Sequence, residues 1–248
     1  MHTVFRFLRQ LLLTVLLLAL LVLVAAGGYF AVTGHKLYES AIQVTPIDTL
    51  YSSISSREGF VPYAQLPQTY INAVISAEDS RFTHHKGVDP VSIARALVTD
   101  LRTGSFAEGG STITQQLAKN TLFTQEKHLA RKAAEMFAAL AIEKQYNKEQ
   151  IFEMYVNTIY FGSGHYGIGE AAQGYFGKTP LQLTDAEAVM LAGLPNAPSA
   201  YSPNSSPELA VKRMQVVLNR MVGCKKLTRE QADALAAEAV TLQFLPAS

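Results

Sequence analysis

The apolar residues of the chain are concentrated in one block near the N-terminus. No charged residue occurs between Gln10 and Gly34, and most of the residues there are Leu, Val and Ala. An uncharged stretch of this length reaches the ~20 residues that a helix needs to cross a bilayer. Two arginines precede it, so the positive-inside rule places the N-terminus in the cytoplasm. The pattern predicts a cytoplasmic tail over 1–9, one transmembrane anchor over 10–34, and a domain on the outer face of the membrane.

A cleaved signal peptide is the alternative interpretation of this block. Ala25, Ala26 and Gly27 are small residues of the kind found at a cleavage point. The apolar core of a signal peptide normally spans only ~7 to 15 residues, however, and this run is longer. The length therefore favours a retained anchor.

The rest of the chain divides into two regions that differ in the pattern of polar and apolar residues. Residues 35–66 are rich in serine and β-branched residues and show no helical period, which predicts a stalk or connector. From 67 to 248 apolar residues recur at spacings of three and four, as in Ile71, Val74 and Ile75, which predicts short amphipathic helices. No alternation long enough for a sheet appears after residue 67, so we expect a mainly α domain.

Several helix boundaries are marked by capping signals. A polar cap followed three residues later by an acid or amide indicates a helix start, and Pro at the first position does the same. The starts predicted in this way lie at Asp89-Pro90, Asn147 with Gln150, Thr184 with Glu187, Ser206-Pro207, and Thr228 with Gln231, and Gly223 is predicted to end a helix. An alanine-rich helix is predicted over Leu129 to Tyr146.

Charge and cysteine content exclude several classes of protein. Lys and Arg number 21 against 20 Asp and Glu, so the net charge of +1 provides no field that would favour nucleic acid. The single cysteine, Cys224, cannot form an internal disulfide, a redox pair or a Cys-based zinc site. Local groups of charged residues must therefore carry any chemistry.

The first such group runs from Glu78 to Asp89 and contains two acids, two histidines and a glycine. On a helix over 70–79, Glu78 shares a face with Ile71 and Val74, where burial would raise the affinity of its carboxylate for a proton. This would suit a general base. The alternative is a solvated acid pair at a helix end, which is common for Glu and Asp.

The second group runs from Glu108 to Asn120. Glycines followed by Ser111 and Thr112 at a helix start would expose backbone N–H groups to an anion, which predicts a phosphate site. Thr112, Gln115, Gln116 and Lys119 would share one polar face. No Gly-Lys-Ser/Thr follows the glycines, so this is not a nucleotide P-loop, and a flexible loop remains the alternative.

The third group places Lys127, Arg131 and Lys132 at the start of a helix that carries Glu135. Small residues follow on the face of Glu135 and would leave room for a ligand. A simple ion pair between Arg131 and Glu135, four residues apart, is the alternative.

These groups, together with 151–162 and 191–201, occur in one order with characteristic gaps. In that order they resemble the motifs of the peptidoglycan glycosyltransferases, family 51, over about residues 66 to 220. The resemblance implies a lysozyme-like, two-lobed helical domain behind the transmembrane helix, with a jaw lobe at the membrane. Leu122 and Phe123 would belong to that jaw and dip into the headgroups, with packing in the core as the alternative.

The resemblance also implies roles for individual residues. Glu78 would be the catalytic base and Glu135 the second catalytic carboxylate, which could hold a divalent cation, Mg²⁺ or Mn²⁺; no organic cofactor is implied. The pocket around Glu78 would be shaped by Asp79, Phe82, His85 and Gly87. The lipid-linked substrate would be bound by Ser111, Thr112, Gln115, Gln116, Lys119, Lys127, Arg131 and Asn157. Lys127 stands where the family often has Arg, and Ala134 where some members have Lys.

The activity implied is polymerisation of glycan chains from lipid II, with release of polyprenyl pyrophosphate. The partners would be lipid II, the nascent glycan, the membrane and other proteins of wall synthesis and division, without nucleic acid. No Ser-x-x-Lys occurs, so we expect the monofunctional, penicillin-insensitive and moenomycin-sensitive form. The alternatives are an anchored peptidoglycan-cleaving glycosidase and an inactive scaffold of the wall-synthesis complex.

Overall fold

The structure is a computed structural model that describes residues 2–104, 109–124 and 128–246. Within these ranges the regular secondary structure consists of helices. In chain order they are α1 (His2–Val44), α2 (Leu50–Ser55), α3 (Gln68–Glu78), α4 (Pro90–Thr103), α5 (Ile113–Leu122), α6 (Leu129–Gln145), α7 (Lys148–Val156), α8 (Ile168–Phe176), α9 (Asp185–Gly193), α10 (Pro198–Tyr201), α11 (Pro207–Gly223) and α12 (Arg229–Ala239). In these ranges the one extended pairing is an isolated bridge between Tyr160 and Tyr166. The prediction of a mainly α fold is confirmed.

Helix α9 lies at the centre of the hydrophobic core. Every residue from Ala186 to Gly193 is buried, because α3, α8, α11 and α12 all pack against this helix. Its sequence is almost uniformly apolar, as expected for a helix that is covered on all sides. Since α11 also contacts α3, the end of α3 at Glu78 lies beside α11. A second group is formed by α5, which packs on α6 and α7.

The capping signals predicted the helix starts well. Asn147, Thr184 and Thr228 each form a reciprocal capping box, which satisfies backbone N–H groups that the first turn leaves free. Asp89 caps α4 by accepting from the N–H of Val91. The α11 helix begins at Pro207 and ends at Gly223, also as predicted.

The connector predicted over 35–66 is wrong in its local structure. The first helix continues without a break to Val44, and Leu50 to Ser55 form α2. The reason is tertiary packing: the end of α1 lies along α6, where Tyr38 and His35 contact the ring of Phe137. Packing of this kind stabilises a helix that the local sequence alone would not specify.

The N-terminal helix is long and apolar enough to cross a membrane. Its candidate span, Phe5–Val44, reaches a mean hydropathy of 2.8 and none of that apolar window is buried within the protein. The helix is therefore a candidate anchor whose other end is packed on the domain.

We expect Gly34→Ala to detach the two helices at this junction. A Cβ atom at Gly34 would lie 2.5 Å from Cβ of Ala133 and 2.7 Å from the carbonyl oxygen of Ala130. Overpacking of this kind costs about 1–3 kcal/mol and outweighs the gain in helix propensity. Gly27→Ala is the matched control, since nothing lies within 4 Å of its Cβ position. Melting in detergent should show a lower Tm for Gly34→Ala alone, and equal Tm values for both variants would contradict the close packing.

Candidate active site

Glu78 is the last residue of α3, and its side chain is only 10% exposed. Its Oε2 accepts a hydrogen bond of 2.8 Å from Nε2 of Gln116 on α5. The hydroxyl of Tyr155 donates to the other end of the same amide, at 3.3 Å from Gln116 Oε1. Because Tyr155 occupies the amide oxygen, the NH₂ group of Gln116 is the end that faces the carboxylate. The structure therefore excludes the solvated acid pair as the setting of Glu78.

Two fully buried tyrosines lie near this carboxylate. Burial raises the pKa of both the Tyr70 and Tyr155 hydroxyls, and the negative charge of Glu78 adds to the shift in each. Both phenols therefore stay neutral at any physiological pH. An aromatic, low-dielectric wall of this kind strengthens the electrostatic contacts of Glu78.

Asp79 and His85 form a buried pair that ties the loop after α3 to the start of α5. His85 Nε2 lies 2.9 Å from Asp79 Oδ2, and the same oxygen accepts from the N–H of Ile113 at 3.0 Å. The N–H of Gly87 donates to His85 Nδ1, so Nε2 carries the proton and donates to Asp79. Thr112 completes the tie by donating to the carbonyl of Gly87 at 2.6 Å. These residues hold the loop and helix that carry Glu78 and Gln116.

Phe82 is packed inside this loop and does not face solvent. Its ring is 2% exposed and contacts the rings of His85 and Phe152. The ammonium of Lys148 lies 4.4 Å from the ring centroid, in a cation–π contact. Phe82 therefore acts on the site through packing.

The predicted phosphate site at the start of α5 has a different structure. The N–H of Thr112 is bound by the side chain of Gln115, and the N–H of Gln115 by the side chain of Thr112. Ile113 donates to Asp79, as described above. Thr112 and Gln115 are 2% and 1% exposed, so they cap the helix from inside the protein. Capping, and not an exposed anion, satisfies these N–H groups.

Glu135 on α6 is fully buried between two cations. Nε of Arg131 lies 3.1 Å from Glu135 Oε1, and Nζ of Lys132 donates to Oε2 at 2.8 Å. Lys132 also donates to the hydroxyl of Ser111, at 2.6 Å. Arg131 in addition reaches the carbonyl of Thr124. The ion pair that the sequence left as an alternative is present, and it gathers positive charge next to the start of α5.

A divalent cation at Glu135 does not fit these contacts. Both carboxylate oxygens already face positive groups, which would repel Mg²⁺ or Mn²⁺. Among the residues that the structure describes, no cluster of three His, Cys, Asp or Glu side chains could hold a metal ion. A metal ligand role for Glu135 thus has no support in its surroundings.

The remaining predicted residues lie in different places. Lys119 is half-buried in the last turn of α5, while Lys127 lies outside the described residues. Leu122 and Phe123, assigned to the jaw by the resemblance, are half-buried against the hydrophobic core. The segment from Ser111 to Gln116 is the common element, because Glu78 is bonded to one end of it and the Lys132–Glu135 pair to the other.

Asn157, predicted to bind substrate, uses its side chain to hold the backbone. Its Oδ1 accepts from the N–H of Val61 at 2.8 Å, and its amide donates to the carbonyls of Val61 and Glu153 at 2.9 and 2.8 Å. The side chain thus fastens the segment before α3 to the end of α7. Both of its N–H donors are occupied, which leaves no donor for a ligand.

We expect Asn157→Ala to lower stability and leave the KM for substrate unchanged. The substitution leaves the N–H and the carbonyl of Val61 without the Asn157 side chain, at a cost of about 2 kcal/mol, while the Glu153 carbonyl still accepts from the backbone N–H of residue 157. Asn219→Ala is the control, because that side chain is exposed and accepts only from Arg229. Thermal melts and initial rates at several substrate concentrations separate the two effects. A large rise in KM with an unchanged Tm would restore Asn157 as a binding residue.

A charged residue at the site was missed by the sequence analysis. Arg213 on α11 lies with Nη2 3.6 Å from Oε1 of Glu78. The available signal was its position on the apolar face of α11, three residues after Ala210 and four before Val217, both of which are buried. An arginine on a core-facing stripe needs a buried acceptor or anion.

Comparison with known proteins places this site in a family context. The family described as Transglycosylase matches residues 45–222. Penicillin-binding protein 1A of Escherichia coli (strain K12) is 47% identical over 180 residues, covering 73% of this chain and 21% of that protein. Penicillin-binding protein 1A of Aquifex aeolicus is 44% identical over 195 residues, covering 78% and 27%. The chain spans about a quarter of the length of these relatives.

A crystal structure of Penicillin-Binding Protein 1A from Haemophilus influenzae overlaps the chain with a TM-score of 0.46 at 26% sequence identity. The overlap covers 76% of this chain and 18% of that one. The family match begins at residue 45, ahead of the domain boundary predicted at 67.

Proposed function

Because the chain belongs to the transglycosylase family, we propose that it polymerises peptidoglycan glycan strands from lipid II. The 4-hydroxyl of an incoming lipid II attacks the anomeric carbon of the growing chain. A C–O bond forms, the bond to polyprenyl pyrophosphate breaks with inversion, and the hydroxyl proton passes to Glu78. Assistance of this kind is worth roughly 10² to 10⁴ in rate.

The observation that supports this function is the set of contacts around Glu78. Gln116 donates to the carboxylate, and the cation of Arg213 lies 3.6 Å away. A hydrogen-bond donor and a cation thus face the carboxylate, which suits a group that accepts a proton. A glycosidase of similar fold would need a group that donates a proton at this position. The contacts of Glu78 therefore favour transfer over cleavage.

The positive cluster on α6 supports the other half of the reaction. Pyrophosphate leaves as an anion, and its departure is assisted most by fixed positive charge. Arg131 and Lys132 supply that charge, and Glu135 between them keeps both side chains oriented. Glu135 acts in this proposal through the two cations, and Lys119 adds charge from α5.

The candidate membrane span fits a lipid-linked substrate. Removing a polyprenyl tail from the bilayer costs ~0.8 kcal/mol per CH₂ group, so an enzyme acting on it benefits from working at the surface. We propose that α1 anchors the chain in the cytoplasmic membrane, with the N-terminus inside and the catalytic domain outside.

The direct test is the reaction of the detergent-solubilised chain with labelled lipid II. We expect a glycan polymer that muramidase degrades, that moenomycin suppresses and that penicillin leaves unaffected. Cleavage of preformed glycan without polymer formation would instead identify the glycosidase. If the protein melts cooperatively but shows neither activity, an inactive scaffold is the function that remains.

A further inference from the structure

Arg213 contacts three residues, Gly193, Tyr201 and Glu78. Its Nε donates to the carbonyl oxygen of Gly193 at 3.1 Å, and its stem passes over Gly193, where an added Cβ would lie 3.1 Å from Arg213 Cγ. Its guanidinium lies 5.9 Å from the ring centroid of Tyr201. The side chain is 10% exposed, so little water competes for these contacts.

One oxygen of Glu78, Oε1, faces a single cation among the described contacts, and that cation is Arg213. Oε2 is bound by Gln116, whereas Oε1 is buried and has no hydrogen-bond donor. Nη2 of Arg213 lies 3.6 Å from that oxygen, which is ion-pair distance without hydrogen-bond geometry. A buried carboxylate oxygen without a donor is costly unless a nearby cation offsets its charge.

The other charged or titratable groups around Glu78 are engaged elsewhere. Asp79, the next residue, is bound by His85 and Ile113. Tyr70 on α3 and Tyr155 on α7 are neutral phenols. Arg220, two turns after Arg213 on α11, donates to the carbonyl of Ala77.

Arg213 itself remains a cation in this setting. Burial lowers the pKa of its guanidinium, the charge of Glu78 opposes that shift, and the charge of Arg220 adds to it. An arginine starts so far above neutrality that it stays protonated. The positive charge next to Glu78 is therefore fixed over the whole range in which the enzyme could work.

We propose that Arg213 is the positioning residue that holds the Glu78 carboxylate turned toward α11, in the orientation from which it accepts the proton of the attacking hydroxyl. This inference rests on the proposed function of Glu78 as the base. Arg213 acts through Glu78, and it also couples that carboxylate to the segment 193–201 through Gly193 and Tyr201. A shift of that segment would move the guanidinium and, with it, the carboxylate of Glu78.

The test compares kcat and KM for lipid II polymerisation in two variants. Arg213→Gln removes the charge and keeps a donor for Gly193, while Arg213→Lys keeps the charge. For Arg213→Gln we expect kcat to fall by roughly 10²-fold with KM nearly unchanged, because a misplacement of about 1 Å in a catalytic group can cost that much. For Arg213→Lys we expect kcat to return to within about tenfold of wild type, because the cation beside Glu78 Oε1 is kept.

Controls separate this proposal from general effects. Arg229→Gln removes a cation whose side chain is 54% exposed on α12, and it should leave kcat and KM unchanged. Melting curves show whether each variant is folded. If Arg213→Gln does not fold, the Lys variant decides, since a large loss of kcat in a folded Arg213→Lys protein would contradict a role for charge.

An unchanged kcat in folded Arg213→Gln would overturn the proposal. A rise in KM with kcat unchanged would show instead that Arg213 contacts substrate, and this too would overturn it. A wild-type chain without polymerase activity would be a failure of the proposed function, which is visible before any Arg213 variant is measured.

Discussion

Glu78→Gln is expected to reduce glycan polymerisation by roughly 10² to 10⁴-fold, because the amide cannot accept the proton of the attacking hydroxyl. The change preserves the size of the side chain. The new amide oxygen can still accept from Gln116, so the hydrogen bond that positions the side chain can survive. Arg213 loses its anionic partner, which costs stability, but a buried arginine still has the Gly193 carbonyl and the Tyr201 ring. Loss of activity should therefore exceed loss of stability.

The measurement is the single-turnover rate of lipid II polymerisation with a melting curve for each protein. Glu208→Gln is the matched control, because Glu208 is exposed in the first turn of α11 and should give wild-type rates. Activity within tenfold of wild type for a folded Glu78→Gln protein would rule out Glu78 as the base.

Helix boundaries could be predicted from sequence because their causes are local. Asn147, Thr184 and Thr228 each bond to residues three positions away, so the pattern of cap and acid or amide contains all the participants. The long helix α1 could be predicted for the same reason, because its apolar residues are contiguous in the sequence. Where the cause is tertiary the prediction failed, as in residues 35–44, whose helix depends on α6.

The candidate site shows the same division. The burial of Glu78 followed from its position on the apolar face of α3, and the structure agrees. The start of α5 was misinterpreted because Thr112 and Gln115 suit a phosphate site and a capping box equally well. What decides between them is Asp79, which comes from 34 positions earlier to bind the N–H of Ile113. A sequence pattern does not contain that contact.

The pair of Glu78 and Arg213 joins residues that are far apart in sequence through the packing of α3 against α9 and α11. Arg213 has no motif of its own, and its neighbours in sequence explain its position on the helix but not its partner. Gly193 matters for the same reason, since the absence of a side chain there lets the arginine stem approach. The geometry of Glu78 is thus specified by core packing.

Gly87→Ala is expected to lower both stability and activity strongly. Gly87 has φ of +95°, and a Cβ there would lie 2.6 Å from the carbonyl oxygen of Ala139 on α6. The left-handed conformation costs about 1–2 kcal/mol for a residue with a Cβ, and displacement of the helix backbone adds a similar or larger amount, so we expect about 3 kcal/mol in total. For a chain of this size that corresponds to a fall in Tm of about 6–12 °C.

Activity should fall because the same loop positions Glu78 and Gln116. Gly87 donates to His85 and accepts from Thr112, so moving it disturbs the start of α5 and with it Gln116. Gly104→Ala is the matched control: Gly104 has φ of +65°, but nothing lies within 4 Å of its Cβ position, so about 1 kcal/mol is expected. Comparing Tm and polymerisation rate in the two variants isolates the contact with α6. Equal losses in both would show that backbone conformation alone, without that contact, explains the requirement for glycine at position 87.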